Sequence, residues 1–260
     1  MKHSLRLNHL RHALARSAPV FGPNLQIPSP DLVEIIGLAG FDFVMLDCEH
    51  GAAAGRLPEL LVACDAAKLT SIVRVAGHGR AELLTPLELG AGGVQVPFVN
   101  TAEEARVLVR HTKFPPLGER GVSLVTRAAR FGFADGRTYR AAANRETLLI
   151  VQVESREGAR NAAAIAAVPG VDAIFIGPAD LAQSFGYRAD VLVPATVRVI
   201  AGIVRAVAGL KPVCISAFDR HDVARWHRMG IRGFLTSSIR PLGRAFSDSR
   251  AELIRGIPRR

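Results

Sequence analysis

The amino-acid sequence predicts an α/β protein built as a single (β/α)₈ TIM barrel. Eight short apolar runs rich in Val, Ile, Leu and Phe alternate with helix-like stretches, a pattern typical of buried parallel strands joined by helices. The length of 260 residues suits one such barrel, since the fold typically takes about 250 residues. No G-x-G-x-x-G sequence follows a strand, which argues against an open dinucleotide-binding sheet. We therefore expect one domain over residues 1–260.

The elements can be assigned in chain order from the apolar runs and from helix-end signals. Ser29 precedes a proline and Thr101 precedes an AEEA run, and both patterns are typical of helix starts. Gly92, Gly170 and Gly230 follow helix-like segments, where a left-handed residue is expected before the next strand. The predicted strands cover residues 19–27, 41–49, 70–76, 93–99, 148–154, 172–178, 211–217 and 233–238, and the predicted helices cover 30–39, 55–67, 81–89, 102–111, 158–168, 194–210 and 222–229.

The N-terminal stretch, residues 1–22, is basic and has no signal-peptide apolar core, so we expect a cytoplasmic protein. The spacing of Leu7, Leu10 and Leu14 predicts an amphipathic helix that packs on the barrel. No run reaches the roughly 18 to 20 apolar residues that span a bilayer. The three cysteines have no C-x-x-C spacing, as expected of ordinary thiols in a reducing compartment.

The net charge of +10 raises the question of a nucleic-acid partner. The excess is mostly Arg scattered along the chain, only two Tyr and one Trp are available for base stacking, and no nucleic-acid motif is present. We therefore expect neither nucleic acid nor a membrane as a partner. The alternative from another class is a non-catalytic barrel that binds a polyanion, with salt-sensitive binding and no metal requirement.

Two segments depart from the simple alternation of strand and helix. Residues 113–145 form the longest irregular stretch, and a loop of that length is usually functional, so we expect an active-site cover or an oligomer contact. Pro86 falls inside a helix pattern and is expected to kink that helix or shift its start.

Charged side chains end four of the apolar runs: His50, Arg74, Glu154 and Asp180. The carboxyl ends of barrel strands meet at one face, where barrel enzymes carry their active sites. Glu154 and Asp180 follow neighbouring strands, and two carboxylates with water and substrate oxygens suit Mg²⁺, Mn²⁺ or Co²⁺. The structural alternatives are a Glu154–Arg156 ion pair and a helix cap at Asp180.

Arg74 lies in an apolar run, where an unpaired charge would be costly, so we expect it to face the barrel mouth and hold a carboxylate or an enolate oxygen. Its structural alternative is an ion pair with Asp47 or Glu49. His50 follows these two acids, which suits a catalytic base whose tautomer they fix. None of the four lysines ends a predicted strand, so imine chemistry lacks its nucleophile.

These residues lie in longer segments that together resemble a known family. The segments are PSPDLVEIIGLAGFDFVMLDCEHG, LELGAGGVQVPFVNTAEEA, FPPLGERGVS, VQVES and PGVDAIFIGPADLAQSFG. In this order they resemble the class II, metal-dependent pyruvate aldolases, the family of 4-hydroxy-2-oxoheptanedioate and 2-dehydro-3-deoxyglucarate aldolases. The resemblance spans most of the chain. It implies a barrel of the phosphoenolpyruvate/pyruvate type and a homo-oligomer, a hexamer of two trimers with exchanged last helices.

The resemblance also implies the reaction and the metal ligands. Such an enzyme is a carbon–carbon lyase that cleaves or forms a 4-hydroxy-2-oxo acid, giving pyruvate and an aldehyde through a metal-stabilised pyruvate enolate. Glu154 and Asp180 would bind the divalent metal, Mg²⁺, Mn²⁺ or Co²⁺. Aromatic or sugar acid catabolism would be its setting.

The same resemblance assigns roles around the substrate. Arg74 would hold the keto oxygen, and His50 would take the proton of the C4 hydroxyl through a bound water. Gln152 would hydrogen-bond near the metal, and backbone amides around Pro178 and Ala179 would receive the pyruvate carboxylate. Asp47 completes the expected catalytic group, beside His50.

The sequence departs from the family pattern near the acid–base pair. The family usually has Asp where this chain has Glu88, and that acid pairs with the catalytic His, so the resemblance implies a His50–Glu88 pair changed by one extra methylene. Ala76, Gly79 and Ile239 stand where relatives often carry Pro, Asp and Asp. We expect these changes to affect the aldehyde site and the subunit interface more than the metal.

Related carbon–carbon lyases on the same site are the remaining alternative. An oxaloacetate decarboxylase or a citramalyl- or malyl-CoA-type lyase would keep the barrel and the enolate. A CoA lyase would normally be longer and carry nucleotide contacts, which the sequence does not show.

Overall fold

The computed structural model describes residues 7–188 and 192–257, so residues 1–6 of the basic N-terminal stretch lie outside it. Eight parallel strands form a closed barrel in chain order, in which β1 pairs with both β2 and β8. This confirms the predicted (β/α)₈ fold. The strands are β1 Val20–Leu25, β2 Phe43–Asp47, β3 Thr70–Arg74, β4 Gly93–Val96, β5 Leu148–Val153, β6 Ala173–Ile176, β7 Val213–Ser216 and β8 Gly233–Ser237.

Helices connect the strands and surround the barrel. They are α1 His9–Ala15, α2 Pro30–Leu38, α3 Leu57–Ala66, α4 Arg80–Glu88, α5 Ala102–Thr112, α6 Gly136–Glu146, α7 Arg156–Ala166, α8 Pro178–Ser184, α9 Pro194–Val207, α10 Arg220–Arg228 and α11 Ile239–Arg255. The side chains of Ser29 and Thr101 cap α2 and α5, as predicted. Gly170 and Gly230 have the expected positive φ of 98°, whereas Gly90 takes that conformation instead of Gly92.

Strand residues alternate between two apolar clusters because successive side chains point to opposite faces of the barrel wall. On β2, Val44 and Leu46 pack outward against the helices, whereas Phe43 and Met45 pack inside the barrel. Both faces of the strand are therefore buried, which explains why the strands read as continuous apolar runs.

Helix α1 closes the amino-terminal end of the barrel. Leu10 and Leu14 join the apolar cluster inside the barrel, as the sequence predicted, while Leu7 is 60% exposed. The side chain of Asn8 caps α1 and donates from Nδ2 to the carbonyl of Gly92 at 2.8 Å, just before β4. The opposite, carboxyl-terminal end is left for polar side chains.

The segment 113–145 is not a cover over the carboxyl-terminal face. It contains α6 and a short 3₁₀ turn, Arg130–Gly132, and it connects the end of α5 to the start of β5 at the amino-terminal end. Phe114 and Tyr139 give it a small apolar cluster of its own. The oligomer-contact alternative for this segment stays a prediction.

Two further findings concern helices. Pro86 is buried inside α4, and the helix begins at Arg80 and continues through Pro86 to Glu88. Among the helices in the described part of the chain, none is long and apolar enough to cross a membrane.

Candidate active site

Asp47, the last residue of β2, is the centre of a hydrogen-bonded group at the carboxyl ends of the strands. Its carboxylate is 1% exposed and accepts from Arg74 twice, at 3.0 Å from Nε and 2.5 Å from Nη2. Asn24 of β1 donates to it at 3.0 Å. Burial by itself would raise the pKa of Asp47, but the hydrogen bonds and the charge of Arg74 outweigh it and lower that pKa. Asp47 is therefore held as an anion.

The same carboxylate shapes the turn that carries His50. Oδ1 of Asp47 accepts the backbone N–H groups of Glu49 and His50, each at 3.1 Å. Gly51 follows, and a Cβ there would lie 2.6 Å from the carbonyl oxygen of Asp47. The His50 side chain is 66% exposed towards solvent, with Nε2 3.6 Å from Oε2 of Glu49. The turn thus presents an accessible imidazole near an acid, and the catalytic role of His50 stays a prediction.

Arg74 forms ion pairs with acids of the site and still keeps N–H groups available for a ligand. It forms the ion pairs that the structural alternative predicted, with Asp47 and, at 3.2 Å from Nη1, with Glu49. A guanidinium has five N–H groups, so three such contacts leave one N–H on each terminal nitrogen. Burial lowers the pKa of Arg74, but the nearby carboxylates outweigh this and raise it. The guanidinium is charged, fixed and able to donate further.

Glu154, directly after β5, is the most strongly perturbed acid of the site. It is 1% exposed and accepts from the backbone N–H of Phe98 at 2.9 Å and from Nε2 of Gln152. Burial, followed by repulsion from Asp180 and Glu49, raises the pKa of Glu154 to about 7. The alternative pair with Arg156 is wrong, because that guanidinium lies over the ring of Phe185, directly after α8. The carboxylates of Glu49, Glu154 and Asp180, which follow β2, β5 and β6, therefore lie close enough for their charges to act on one another.

Asp180, Pro178 and Ala179 lie in the first turn of α8, directly after β6 and close to Glu154. Gly177 makes this approach possible, since a Cβ at that position would collide with Oε2 of Glu154 and lie 3.1 Å from Nε2 of Gln152. Only glycine allows the end of β6 to pass so close to a buried carboxylate.

The structure adds two polar residues that the sequence reasoning missed, Asn24 and Gln95. Gln95 of β4 is 3% exposed and donates from Nε2 to Oε1 of Gln152 at 2.6 Å. Gln152 in turn donates to Glu154, so two amides form a chain that ends on that carboxylate. The signal was available in the sequence, because both missed residues interrupt apolar strands one residue before the strand ends.

Glu88 is a predicted site residue that the structure places away from the other site residues of the same chain. It ends α4 and so lies at the amino-terminal end of the barrel, where its Oε1 accepts from Nη2 of Arg120 at 2.8 Å. The expected His50–Glu88 pair is therefore not formed within one chain. Helices of a barrel run opposite to its strands, so the last residue of α4 and the last residue of β2 lie at opposite ends.

The acids fit a divalent metal by their chemistry. Within the residues that the structure describes, no three His, Cys, Asp or Glu side chains are arranged to hold a metal ion by themselves. Glu154 and Asp180 nevertheless form a pair of hard oxygen donors, and their mutual repulsion is what a bound cation would relieve. Cys48 is not a competing nucleophile, since burial and the charge of Asp47 raise the pKa of its thiol to about 11.

Comparison with known proteins agrees with this geometry. The pattern of the HpcH/HpaI aldolase/citrate lyase family matches residues 25–225, which include every acid of the site. The chain belongs to this family. It is therefore an aldolase-type carbon–carbon lyase, and the family resemblance predicted from the sequence is confirmed.

Individual members of the HpcH/HpaI family are similar over most of the chain. The hydroxypyruvate/pyruvate aldolase of Roseobacter denitrificans is 40% identical over 190 residues, covering 72% of this chain and 73% of that protein. The 5-keto-4-deoxy-D-glucarate aldolase of Salmonella paratyphi A is 36% identical over 233 residues, covering 88% and 90%. A family member from Burkholderia cenocepacia J2315 has the same fold, with a TM-score of 0.88 and 33% identity over 95% of this chain and 99% of that one.

Proposed function

We propose that this protein is a metal-dependent pyruvate aldolase that cleaves a 4-hydroxy-2-oxo acid into pyruvate and an aldehyde. The observation that carries the proposal is Arg74, a largely buried cation with two N–H groups to spare, close to the acid pair Glu154 and Asp180. A 2-oxo acid offers a keto oxygen for the cation and two chelating oxygens for a metal on the acids. The Roseobacter and Salmonella relatives, which carry aldolase names, support the same reaction class.

Glu154 and Asp180 would hold Mg²⁺, Mn²⁺ or Co²⁺. Such an ion supplies Lewis-acid polarisation of the 2-oxo group. Gln152, fixed by Gln95, keeps the Glu154 carboxylate in place through its amide N–H. The backbone around Pro178 and Ala179 would receive the substrate carboxylate.

His50 and Arg74 perform the proton and charge steps in this proposal. His50 takes the proton of the C4 hydroxyl, through a water, as the C3–C4 bond breaks and the aldehyde forms. The bond's electron pair passes into the pyruvate enolate, and the free N–H groups of Arg74 stabilise the enolate oxygen. A proton returned to C3 then gives pyruvate. Asp47 fixes the backbone of His50 and the guanidinium of Arg74 through hydrogen bonds.

The test is pyruvate release from 4-hydroxy-2-oxoheptanedioate and 2-dehydro-3-deoxyglucarate, measured with lactate dehydrogenase. We expect release that EDTA abolishes and that Mg²⁺, Mn²⁺ or Co²⁺ restores, and a fall of at least about 10³-fold in Glu154→Ala. Metal-independent release would contradict the proposal. Pyruvate from oxaloacetate alone would favour the decarboxylase alternative.

We also propose a homo-oligomer, a hexamer by resemblance. Helix α11 buries none of its side chains in the single chain; Phe246 and Leu253 on it are 73% and 74% exposed, and Ile257 just after it is 66% exposed. A neighbouring copy would cover these apolar groups. Light scattering of the purified protein is expected to give a mass of several chains, and a monomer at micromolar concentration would contradict this. A cytoplasmic location and a single domain over residues 1–260 stay predictions.

A further inference from the structure

The side of the barrel mouth formed by β7, β8 and β1 carries a second polar group, away from the acids. Cys214 and Leu235 belong to the apolar cluster inside the barrel. Side chains alternate along a strand, so Ser216 and Ser237, two residues further on, also face inward at the carboxyl-terminal end. The mouth is therefore polar on this side too, although the proposed reaction uses none of these residues.

Arg240 is the charged residue of this side. It follows β8 in the first turn of α11, and its guanidinium carbon lies 4.1 Å from the centre of the Phe218 ring, which follows β7. The backbone N–H of Arg240 donates to Oγ of Ser237 at 3.3 Å, which ties the start of the helix to the end of the strand. The cation is thus held between the two loops at the carboxyl-terminal end of the barrel.

Arg240 is not neutralised by an acid of its own. Its side chain is exposed, and in residues 7–188 and 192–257 no carboxylate lies within ion-pair distance of it. The acids that follow Phe218 in the chain are engaged elsewhere. Asp219 accepts two N–H groups at the start of α10, and Asp222 accepts the N–H of Phe218 and lies 3.5 Å from Arg225.

A neutral donor lies beside this cation. Ser237 donates to Oε1 of Gln26, at the end of β1, at 3.1 Å. The amide Nε2 of Gln26 then has no protein partner among the described residues, and its side chain is exposed. Ser216 likewise has a hydroxyl group on this side of the mouth. Donors without acceptors, around an unpaired guanidinium, suit a ligand that brings negative oxygens.

We propose that Arg240 determines specificity by binding a carboxylate at the far end of the substrate, the end that becomes the aldehyde. This rests on the proposed function, in which the pyruvate half lies against Arg74 and the acids of β5 and β6. The rest of the substrate then extends across the mouth, and the loops after β7 and β8 of such barrels frequently bind anionic groups. The preferred substrate is therefore a dicarboxylic 4-hydroxy-2-oxo acid.

The experiment compares two substrates that differ only in the far carboxylate, 4-hydroxy-2-oxoheptanedioate and 4-hydroxy-2-oxoheptanoate. In Arg240→Gln we expect kcat/KM for the dicarboxylic acid to fall by about 10- to 100-fold, mostly through KM, because one charge-assisted hydrogen-bonded pair is lost. The value for the monocarboxylic acid is expected to stay within about 3-fold of the original. Arg240→Lys keeps the charge and is expected to restore part of the loss.

Arg244→Gln is the matched control, because Arg244 is exposed on the same helix one turn further on and its loss changes the net charge equally. Arg244→Gln is expected to leave kcat/KM unchanged for both substrates. This separates binding of the carboxylate by Arg240 from a general electrostatic attraction of anions to the protein. Equal effects of Arg240→Gln on both substrates, or no effect on either, would overturn the inference. Exchange of the pyruvate methyl protons for deuterium, followed by NMR, reports the enolate step without an aldehyde. Its absence in the unmodified protein would refute the proposed function itself.

Discussion

Replacing Asp47 by alanine is expected to lower the free energy of unfolding by about 3–5 kcal/mol and pyruvate release by at least about 10³-fold. The variant leaves the guanidinium of Arg74 largely buried without its bidentate partner, which is costly. It also removes the acceptor that fixes the backbone of the turn carrying His50. Both the charged donor and the proton acceptor of the proposed reaction would therefore lose their positions through one substitution.

Asp47→Asn is expected to lose nearly as much, although it keeps the shape of the side chain. Five donors converge on the two oxygens of Asp47, so an amide NH₂ in either orientation would face at least two of them. Glu59→Ala is the matched control, because Glu59 pairs with Arg56 at the surface and its loss should cost no more than about 1 kcal/mol. Unfolding in guanidinium chloride measures the change in stability, and the pyruvate assay measures the change in activity. An asparagine variant as stable as the original protein would contradict this description of Asp47.

The strand ends of this protein were predictable because two physical rules act on the same residues. A charged residue at the end of an apolar run cannot stay in the barrel wall, and the carboxyl ends of parallel strands converge. These rules place Arg74 and Glu154 correctly from sequence alone. The same reasoning extends to Gln95, whose amide is polar but uncharged, so its presence in an apolar run gives a weaker signal.

The positions of Glu88 and of the segment 113–145 were not predicted correctly, because local sequence patterns do not determine them. A motif identifies which residue is acidic but not which end of the barrel it occupies, and only the direction of α4 decides that Glu88 meets Arg120. The segment 113–145 has few long apolar runs because α6 buries mainly alanines and Tyr139. Its buried groups therefore depend on contacts between distant residues, such as Lys113 with Asp172 at 3.0 Å, which no local pattern reveals.

Glu154→Gln is expected to abolish metal-dependent cleavage while making the metal-free protein more stable at pH 8. The pKa of Glu154 rises from its ordinary 4.5 to about 7 in the folded chain, so the folded state binds this proton more tightly than the unfolded state. This contribution favours folding below about pH 4.5 and is lost as the pH rises through about 7. At pH 8 the buried charge therefore costs about 3 kcal/mol, which the glutamine variant should regain in EDTA.

The glutamine fits because its neighbours are amides. If Gln152 and Gln95 each turn by 180°, the new NH₂ finds an acceptor and Phe98 keeps its own. The gain in stability should vanish at pH 4, where Glu154 is protonated in both the folded and the unfolded state, and this comparison is the internal control. Added Mg²⁺ should reverse the order at pH 8, since only the original carboxylate gains a cation. Equal stability of both proteins at pH 8 in EDTA would show that Glu154 carries no buried charge, and the metal would then need another ligand pair.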